Sequence, residues 1–318
     1  MSRDRYTIFA WSVLAYTLAV ILWGAFVRAS GSGAGCGNHW PLCNGEVLPP
    51  SQSTETMIEL THRVMSGLAL PLVIVLLVWC FRLHGKRHPA RTAAVLAVIL
   101  MLTEAAIGAG LVLLELVADN DSMARAGWMA GHLGNTLLLL AALVLTAHWG
   151  APAFRPPHGH PPRLRWRGQG RLRRLVLLAL AATLLVGVSG AVAALGDTLF
   201  PPTSLVDELR QDFSLATNLL KQLRVLHPLI AVGASLILLQ LIHAVRRQRP
   251  GGDAKRFANR LHLLVFVQLA FGTANILLLA PLWMQLGHLL LADLLWIFLI
   301  LTCVASLEIR AGSTADAD

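Results

Sequence analysis

The chain has 318 residues, of which 56% are hydrophobic and only 14% are charged, and its formal net charge is +9. A soluble globular protein carries about 25% charged residues, so this composition excludes an ordinary soluble domain. It also excludes a nucleic-acid-binding protein, because the basic residues lie in alternate loops between apolar segments and form no basic face on a soluble domain. The sequence predicts an all-α integral membrane protein.

Apolar segments long enough to cross a bilayer recur along the whole chain. The predicted spans are residues 7–27, 61–83, 92–115, 127–149, 172–195, 225–245, 258–280 and 284–308. Lys and Arg concentrate in alternate loops, which predicts that these loops and both termini are cytoplasmic. Neither a removable signal peptide nor a mitochondrial presequence is recognisable, which favours a bacterial inner membrane.

The chain divides into two halves that resemble each other. A Pro-, Arg- and Gly-rich segment at 151–171 has no apolar period and is predicted to be a cytoplasmic linker between residues 1–150 and 172–318. A Gly-His-Leu triplet occurs at 131–133 and again at 287–289. The sequence thus predicts two pseudo-symmetric four-helix bundles, related as a parallel repeat about an axis along the membrane normal.

Four histidines lie near the outer ends of even-numbered spans, at repeat-equivalent positions: His62, His132, His227 and His288. Two imidazoles on neighbouring helices can clamp a flat metallo-macrocycle, and haem iron accepts axial histidine. Zinc or copper also accept imidazole, but a structural zinc site requires four ligands. The alternative is a buried histidine that hydrogen-bonds a neighbouring helix. Histidines in or beside the cytoplasmic loops, including His84 and His148, are interpreted as solvated or interfacial.

The two halves differ in the segment around the first histidine of each, where the second half lacks both the carboxylate and the arginine that follows the histidine. The first contains Glu59-Leu60-Thr61-His62-Arg63, whereas the second contains Arg224-Val225-Leu226-His227-Pro228. A site that breaks C–H and O–H bonds needs a proton acceptor or a charge stabiliser, and Glu59 can serve as either. This predicts chemistry in the first half and a fixed cofactor in the second. The alternative is that Glu59 is an interfacial carboxylate paired with Arg63 or Arg28.

Basic side chains near the outer ends of the spans are candidates for binding haem propionates. They are Arg28 and Arg63 in the first half and Arg224 and Lys221 in the second. A guanidinium group pairs a carboxylate in a bidentate way, which suits a propionate. Interfacial anchoring of the helices is the alternative role for the same side chains.

Cys36 and Cys43 share the first outer loop. An outer location is oxidising in bacteria, so the pair predicts a disulfide that closes a small loop over the Glu59 pocket. A redox-active pair is the alternative. Cys80 and Cys303 lie near the predicted cytoplasmic ends and are interpreted as inert.

Two carboxylates, Glu104 and Asp293, lie inside predicted spans. The region equivalent to Glu104 in the second half contains Gln268 and Asn275. Intramembrane acids are functional candidates, so a hydrogen bond to a neighbouring helix and a proton or quinone path are both predicted roles.

These features together resemble the haem A synthase family over nearly the whole chain. The local motifs that carry the resemblance are Gly24–Arg28 followed by Gly31-Ser32-Gly33, Trp40–Gly45, and the Glu-x-x-His-Arg pattern at 59–63. Some members carry a cysteine pair that Cys36 and Cys43 match. Certain members have a second pair in the other outer loop, which is missing from residues 196–222, so a mechanism that needs both pairs is not implied.

The resemblance implies an oxidoreductase that converts a methyl group of haem O into the formyl group of haem A by two successive hydroxylations. It implies that Glu59, His62 and His132 are catalytic in the substrate-haem half, and that His227 and His288 ligate haem b. It also implies links to membrane lipid, haem O synthase and cytochrome oxidase assembly. The electron acceptor, with a quinone as one candidate, the oxygen source and the oligomeric state stay open. The competing classes are a di-haem b-type electron carrier or quinone oxidoreductase and a repeat-symmetric transporter.

Overall fold

The computed structural model describes residues 3–49, 53–152, 163–166, 168–201, 204 and 219–309. Within these ranges eight helices are long and apolar enough to cross a membrane, which confirms the predicted class. They are α1 (Arg3–Ala29), α2 (Thr54–Leu83), α3 (Pro89–Leu113), α4 (Met123–Gly150), α5 (Gly170–Leu199), α6 (Leu219–Gln248), α7 (Gly252–Leu277) and α8 (Leu282–Leu307).

The helices of each half pack as a ring of four. In the first half α1 contacts α2 and α4, and α3 contacts the same two helices; α5 to α8 repeat these contacts in the second half. The halves meet where α4 contacts α5 and α8 and where α1 contacts α8, and the Trp296 indole N–H donates to the Leu137 carbonyl oxygen at 2.6 Å across this contact. The fold is a pair of pseudo-symmetric four-helix bundles, as predicted.

The second helix begins earlier than its apolar run. The predicted span starts at residue 61, whereas α2 starts at Thr54, because the Ser53 side chain caps the helix by accepting a hydrogen bond from the Thr56 backbone N–H at 3.2 Å. Hydropathy detects only the part of a helix that crosses apolar surroundings. Glu59 and His62 therefore lie inside α2, in its second and third turns, rather than at its beginning.

The apolar core is concentrated at one end of the molecule, here called the packed end, where α1 begins and α8 ends. Fully buried side chains there include Tyr6, Leu76, Leu143, Leu241 and Leu307. The four histidines lie at the opposite end, here called the histidine end, each within the first three turns of its helix. One half of the membrane depth thus supplies the scaffold, and the other carries the candidate ligands.

The interpretation of His84 and His148 as solvated side chains is wrong. They are only 8% and 5% exposed, because the packed end extends beyond the apolar runs and encloses the helix ends. His148 Nε2 lies 3.6 Å from Glu308 Oε1, and the Trp149 indole N–H donates to the same oxygen at 2.7 Å.

A short antiparallel pairing joins residues 163–164, β1, to residues 308–309, β2. It ties the end of the predicted linker to the C-terminal end of α8. Two-residue strands carry no periodicity, so the sequence did not predict them. Most of the linker prediction, at residues 153–162 and 167, lies outside the described residues, as do residues 202–203 and 205–218 of the second outer loop.

Candidate functional site

The second half brings two of the predicted ligands together. The imidazole centroids of His227 on α6 and His288 on α8 are 6.5 Å apart, and the ring planes are 88° from parallel. A histidine nitrogen binds a metal at about 2 Å, which places two imidazoles on opposite sides of one metal roughly 6 Å apart, centroid to centroid. The observed separation fits a macrocycle metal with one histidine on each face.

Ligand count also favours a macrocycle over a free metal ion. Among the described residues, no group of three or more His, Cys, Asp or Glu side chains is arranged to hold a metal. A porphyrin supplies its own four equatorial nitrogens, so two histidines suffice for its iron. The Nδ1 atoms of His62 and His288 are buried and have no hydrogen-bond partner in the described part of the chain, which fits rings that await a further ligand.

Three histidine rings pack directly on glycines of neighbouring helices. A methyl group at Gly24 would lie 2.8 Å from His62 Cε1, one at Gly190 would lie 3.0 Å from His227 Cε1, and one at Gly272 would lie 2.9 Å from His288 Cε1. Gly24 lies in the Gly24–Arg28 motif, and Gly190 is followed by Ala191 as Gly24 is by Ala25, so the two segments match between the halves. Gly272 was missed, although its position four residues after Gln268 matches that of Gly108 after Glu104.

Each half holds its second histidine through a polar side chain on the preceding helix. His132 Nδ1 lies 3.2 Å from Glu104 Oε1, at ion-pair distance, although the two atoms are not aligned as a hydrogen bond. In the second half Gln268 Nε2 lies 3.3 Å from His288 Nε2 and donates to the His288 carbonyl oxygen at 3.2 Å. One half thus offers its ligand a carboxylate, and the other offers an amide.

His227 has a different kind of partner. Its Nδ1 lies 3.1 Å from the Ser189 hydroxyl on α5, which fixes the direction of the other ring nitrogen. The equivalent residue in the first half is Trp23, whose indole N–H instead donates to the Ile58 carbonyl oxygen at 3.1 Å. The contact between Ser189 and His227 was not predicted.

Glu59 is engaged on both carboxylate oxygens. Oε1 accepts from Arg63 Nη2 at 2.5 Å and Nε at 3.1 Å, and Oε2 accepts from the Cys36 backbone N–H at 2.8 Å. The side chain is buried, with the whole residue 4% exposed. Of the two arginines proposed as structural partners, Arg63 is the one that contacts it.

The first outer loop is anchored on these same side chains. The structure contains the predicted disulfide between Cys36 and Cys43. Arg63 Nη1 donates to the carbonyl oxygens of His39 and Leu42, inside the closed loop. Glu59 and Arg63 therefore hold the disulfide loop against α2. Glu59 lies about one helical turn before His62, and Arg63 directly follows it.

The other candidate arginines also donate to protein acceptors. Arg28 Nη1 donates to the Ala194 carbonyl oxygen and the Thr198 hydroxyl, each at 2.5 Å, and Nη2 donates to Gln285 Oε1 at 3.1 Å, so Arg28 bridges the two halves. Arg224 Nη1 lies 3.2 Å from Asp197 Oδ1. Binding of haem propionates by Arg28, Arg63 and Arg224 stays a prediction, and the Lys221 side chain lies outside the described residues.

Asp293 is fully buried in α8, and neither carboxylate oxygen has a hydrogen-bond partner among the described residues. No contact within the described part of the chain brings it to either histidine pair.

Comparison with known proteins gives two kinds of relative. Over 305 residues, 96% of this chain, the sequence is 47% identical to a protein from Thermus thermophilus named protoheme IX farnesyltransferase. The matched region is 49% of that protein, so the chain spans about half the length of its Thermus relative. Proteins named heme A synthase match shorter regions: one from Alkalihalophilus pseudofirmus is 40% identical over 128 residues, 40% of each chain.

A third relative, the heme A synthase of Geobacillus kaustophilus, is 37% identical over 138 residues, which are 42% of this chain and 41% of its own. A family model described as a cytochrome oxidase assembly protein matches residues 7–300, which covers all eight helices. This confirms the resemblance predicted from the motifs. The chain belongs to the COX15-CtaA family of cytochrome oxidase assembly proteins.

Proposed function

We propose that the protein is a haem A synthase that oxidises the methyl group of haem O to a formyl group. The observation that carries the proposal is the difference between two otherwise matching histidine pairs. Carboxylates accompany the first pair, at Glu59 and Glu104, whereas Arg224 and Gln268 stand at the equivalent positions of the second half. A cofactor that only transfers electrons needs no such carboxylates, but a reaction that releases protons does.

The division of labour follows from this difference. Residues 1–150 form the substrate half, where His62 and His132 bind the haem O iron, and residues 172–318 form the haem b half, where His227 and His288 are the axial ligands. Haem b, when bound, supplies a one-electron redox centre. The segment 151–171 joins the halves on the cytoplasmic side of a bacterial inner membrane, where both termini lie.

Each hydroxylation replaces one hydrogen of the methyl carbon with a hydroxyl group. With water as the oxygen donor, each step releases two electrons and two protons, and the electrons pass to an acceptor such as a quinone. Two such steps yield a gem-diol, which loses water to give the formyl group. Glu59 accepts a proton in these steps or stabilises positive charge that develops beside it. Both of its oxygens are bound in the structure, so Arg63 and the Cys36 N–H hold the carboxylate in place for this role.

The names of the Thermus relatives support a position for the reaction directly after farnesylation of haem. Their name describes farnesylation of protohaem, the kind of reaction that yields a farnesyl-bearing haem, and they are about twice as long as the region that this chain matches. We propose that a haem O synthase is the partner that delivers the substrate.

The test is haem analysis in a host that makes no haem A. The chain is co-expressed with a haem O synthase, and the haems are extracted and identified by chromatography and mass analysis. Haem A is expected from the wild type, and Glu59→Gln is expected to reduce it by roughly a hundredfold or more. Glu55→Gln is the matched control, because Glu55 is an exposed carboxylate one turn earlier on the same helix.

Other outcomes identify other functions. If the folded, haem-loaded protein yields only haem B and unmodified haem O, the chain is a di-haem electron carrier. If haem O accumulates when the separate haem O synthase is omitted, the chain itself carries the activity named for the Thermus relatives.

A further inference from the structure

A groove with a volume of about 680 Å³ opens on the surface between α3 and α4 and extends to α5. Its lining includes Thr103, Ile107, Gly131, Gly134, Asn135 and Val188. This volume is within the range of small-molecule sites, and the groove lies on helices that cross the membrane, so it faces lipid. Most of its walls are apolar, with Thr103 and Asn135 as a polar patch.

Two glycines that line the groove, Gly131 and Gly134, and the neighbouring Gly108 face open space. A methyl group built at Gly108 or Gly131 would contact no described atom within 4 Å outside its chain neighbours and its own helix backbone. A methyl group at Gly134 would lie 3.8 Å from Val188 Cγ2. Glycine destabilises a helix interior by roughly 1 kcal/mol relative to alanine. None of these glycines is required by close packing, so the space itself needs another explanation.

The second half fills the equivalent space. A methyl group at Gly272, the counterpart of Gly108, would lie 2.9 Å from His288 Cε1. One at Gly287, the counterpart of Gly131, would lie 2.9 Å from Phe271 Cζ. Phe271 stands where the first half has Ile107, and Leu290 stands where it has Gly134. Among the described residues, the first half is thus open where the second half places Phe271 and Leu290.

The groove is connected to the first histidine pair through a chain of polar contacts. The Thr103 hydroxyl donates to Asn135 Oδ1 at 2.7 Å, and Asn135 Nδ2 donates to Glu104 Oε2 at 2.5 Å. The other oxygen of Glu104 lies 3.2 Å from His132 Nδ1. An occupant of the groove therefore lies next to the residues that hold the His132 ring.

We propose that this groove holds the farnesyl tail of haem O. The inference rests on the proposed function, in which the first half binds haem O and the second binds haem b. These two haems differ by an isoprenoid chain attached through a hydroxyl-bearing carbon, and the halves differ by a long apolar space with a polar patch at Thr103 and Asn135. The chain runs from the ring along the groove, and its hydroxyl group meets that patch.

The groove selects by shape rather than by a hydrophobic driving force. Lipid is as apolar as the groove wall, so a tail gains little from leaving the bilayer. A filled wall, however, would push the tail, and with it the ring, away from His62 and His132. Overpacking of this kind is expected to lower haem O binding by about tenfold.

The test replaces two groove residues with the residues found at the equivalent positions of the second half. Full-length protein in detergent is incubated with an equimolar mixture of haem B and haem O and is repurified, and the retained haems are quantified by chromatography. Ile107→Phe and Gly134→Leu, which copy Phe271 and Leu290, are expected to retain about tenfold less haem O and the same amount of haem B as the wild type. Leucine favours a helix more than glycine, so Gly134→Leu tests the idea even if Ile107→Phe folds poorly.

Ile99→Phe is the matched control, because it makes the same change on α3 at a residue that is 50% exposed and outside the groove. It should retain both haems as the wild type does. Equal losses of haem B and haem O in the groove variants, or wild-type retention of haem O in both, would overturn the proposal. Haem A formation by the wild type is measured separately. If the wild type makes haem A but the groove variants retain haem O as the wild type does, only the groove assignment fails. If the groove variants lose haem O selectively but the wild type makes no haem A, only the proposed reaction fails.

Discussion

Glu104 and Gln268 stand at the same position of the two repeats, and each side chain contacts the second histidine of its own half. Both are followed four residues later by a glycine, and both helices end in the same way: the Leu114 N–H bonds the Gly110 and Val112 carbonyl oxygens, and the Leu278 N–H bonds those of Ala274 and Ile276. The two contacts differ in the ring nitrogen they reach, Nδ1 in His132 and Nε2 in His288, and in chemical type, because the first histidine has a carboxylate partner and the second has an amide.

Exchanging Glu104 and Gln268 should change the haem affinity and the midpoint potential of each half in opposite directions. A carboxylate partner makes an imidazole a stronger donor to a metal, and loss of such a partner typically lowers metal affinity about 10- to 100-fold. Glu104→Gln is expected to lower retention of the first haem by about tenfold and to shift its midpoint potential upward. Redox titration with optical detection measures the shift. Gln268→Glu should lower the midpoint potential of the second haem. Unchanged potentials in both variants would show that neither residue tunes the histidine ligand of its half.

The glycines under the histidine rings should be intolerant of a single methyl group. Gly24→Ala places a carbon 2.8 Å from His62 Cε1, and Gly190→Ala places one 3.0 Å from His227 Cε1. Each is expected to lower the haem content of its own half and to spare the other, as measured by haem extraction and by absorbance of each haem type. Gly67→Ala, where the added carbon meets open space, should keep full haem content. Equal tolerance at all three positions would contradict the close packing.

Removal of the disulfide should loosen the loop that Glu59 and Arg63 hold. The bond closes a loop with a sequence separation of 7, for which the chain-entropy model gives about 2 kcal/mol of stabilisation. The double variant Cys36→Ser/Cys43→Ser is expected to melt at a lower temperature in detergent than the wild type. A reductant should lower the melting temperature of the wild type and leave that of the double variant unchanged. A wild-type melting temperature in the double variant would show that the hydrogen bonds of Arg63 alone hold the loop.

Arg28 should contribute to the cohesion of the two halves. Its guanidinium group reaches Ala194, Thr198 and Gln285 at once, which a single ammonium group cannot reproduce. Arg28→Lys is expected to destabilise the protein by about 1–3 kcal/mol, because it leaves acceptors unpaired. Thermal melting followed through the second haem measures the loss, with Arg5→Lys as a control at an exposed position of the same helix. An equal melting temperature for both variants would show that helix packing alone joins the halves.

The sequence predicted the parts of this structure that depend on length and repetition. Eight apolar runs predict eight helices, and the recurrence of Gly-His-Leu predicts two matching halves. It did not predict the start of α2, because the Ser53 cap lies outside the apolar run. It also missed the burial of His84 and His148, since local composition does not show which loops the packed end encloses.

The contacts within the site were the least predictable. Glu59 and Arg63 are neighbours on one helix, so their pairing was foreseen as an alternative, but the attachment of both to the Cys36–Cys43 loop depends on how that loop folds back. Gly272 and Ser189 can be recognised as site residues only from their contacts with His288 and His227. A comparison of the halves residue by residue would have indicated Gly272, because Gly108 occupies the same position.

The concentration of the apolar core at the packed end has a consequence for biogenesis. Most of the buried apolar side chains that pack the eight helices lie apart from the histidines, so the larger part of the apolar core is complete without haem. A newly made chain can therefore insert and pack its helices before haem binds, and haem binding becomes a separate, later step. Supply of haem would then set how much of the protein is active, while the amount of protein in the membrane stays the same.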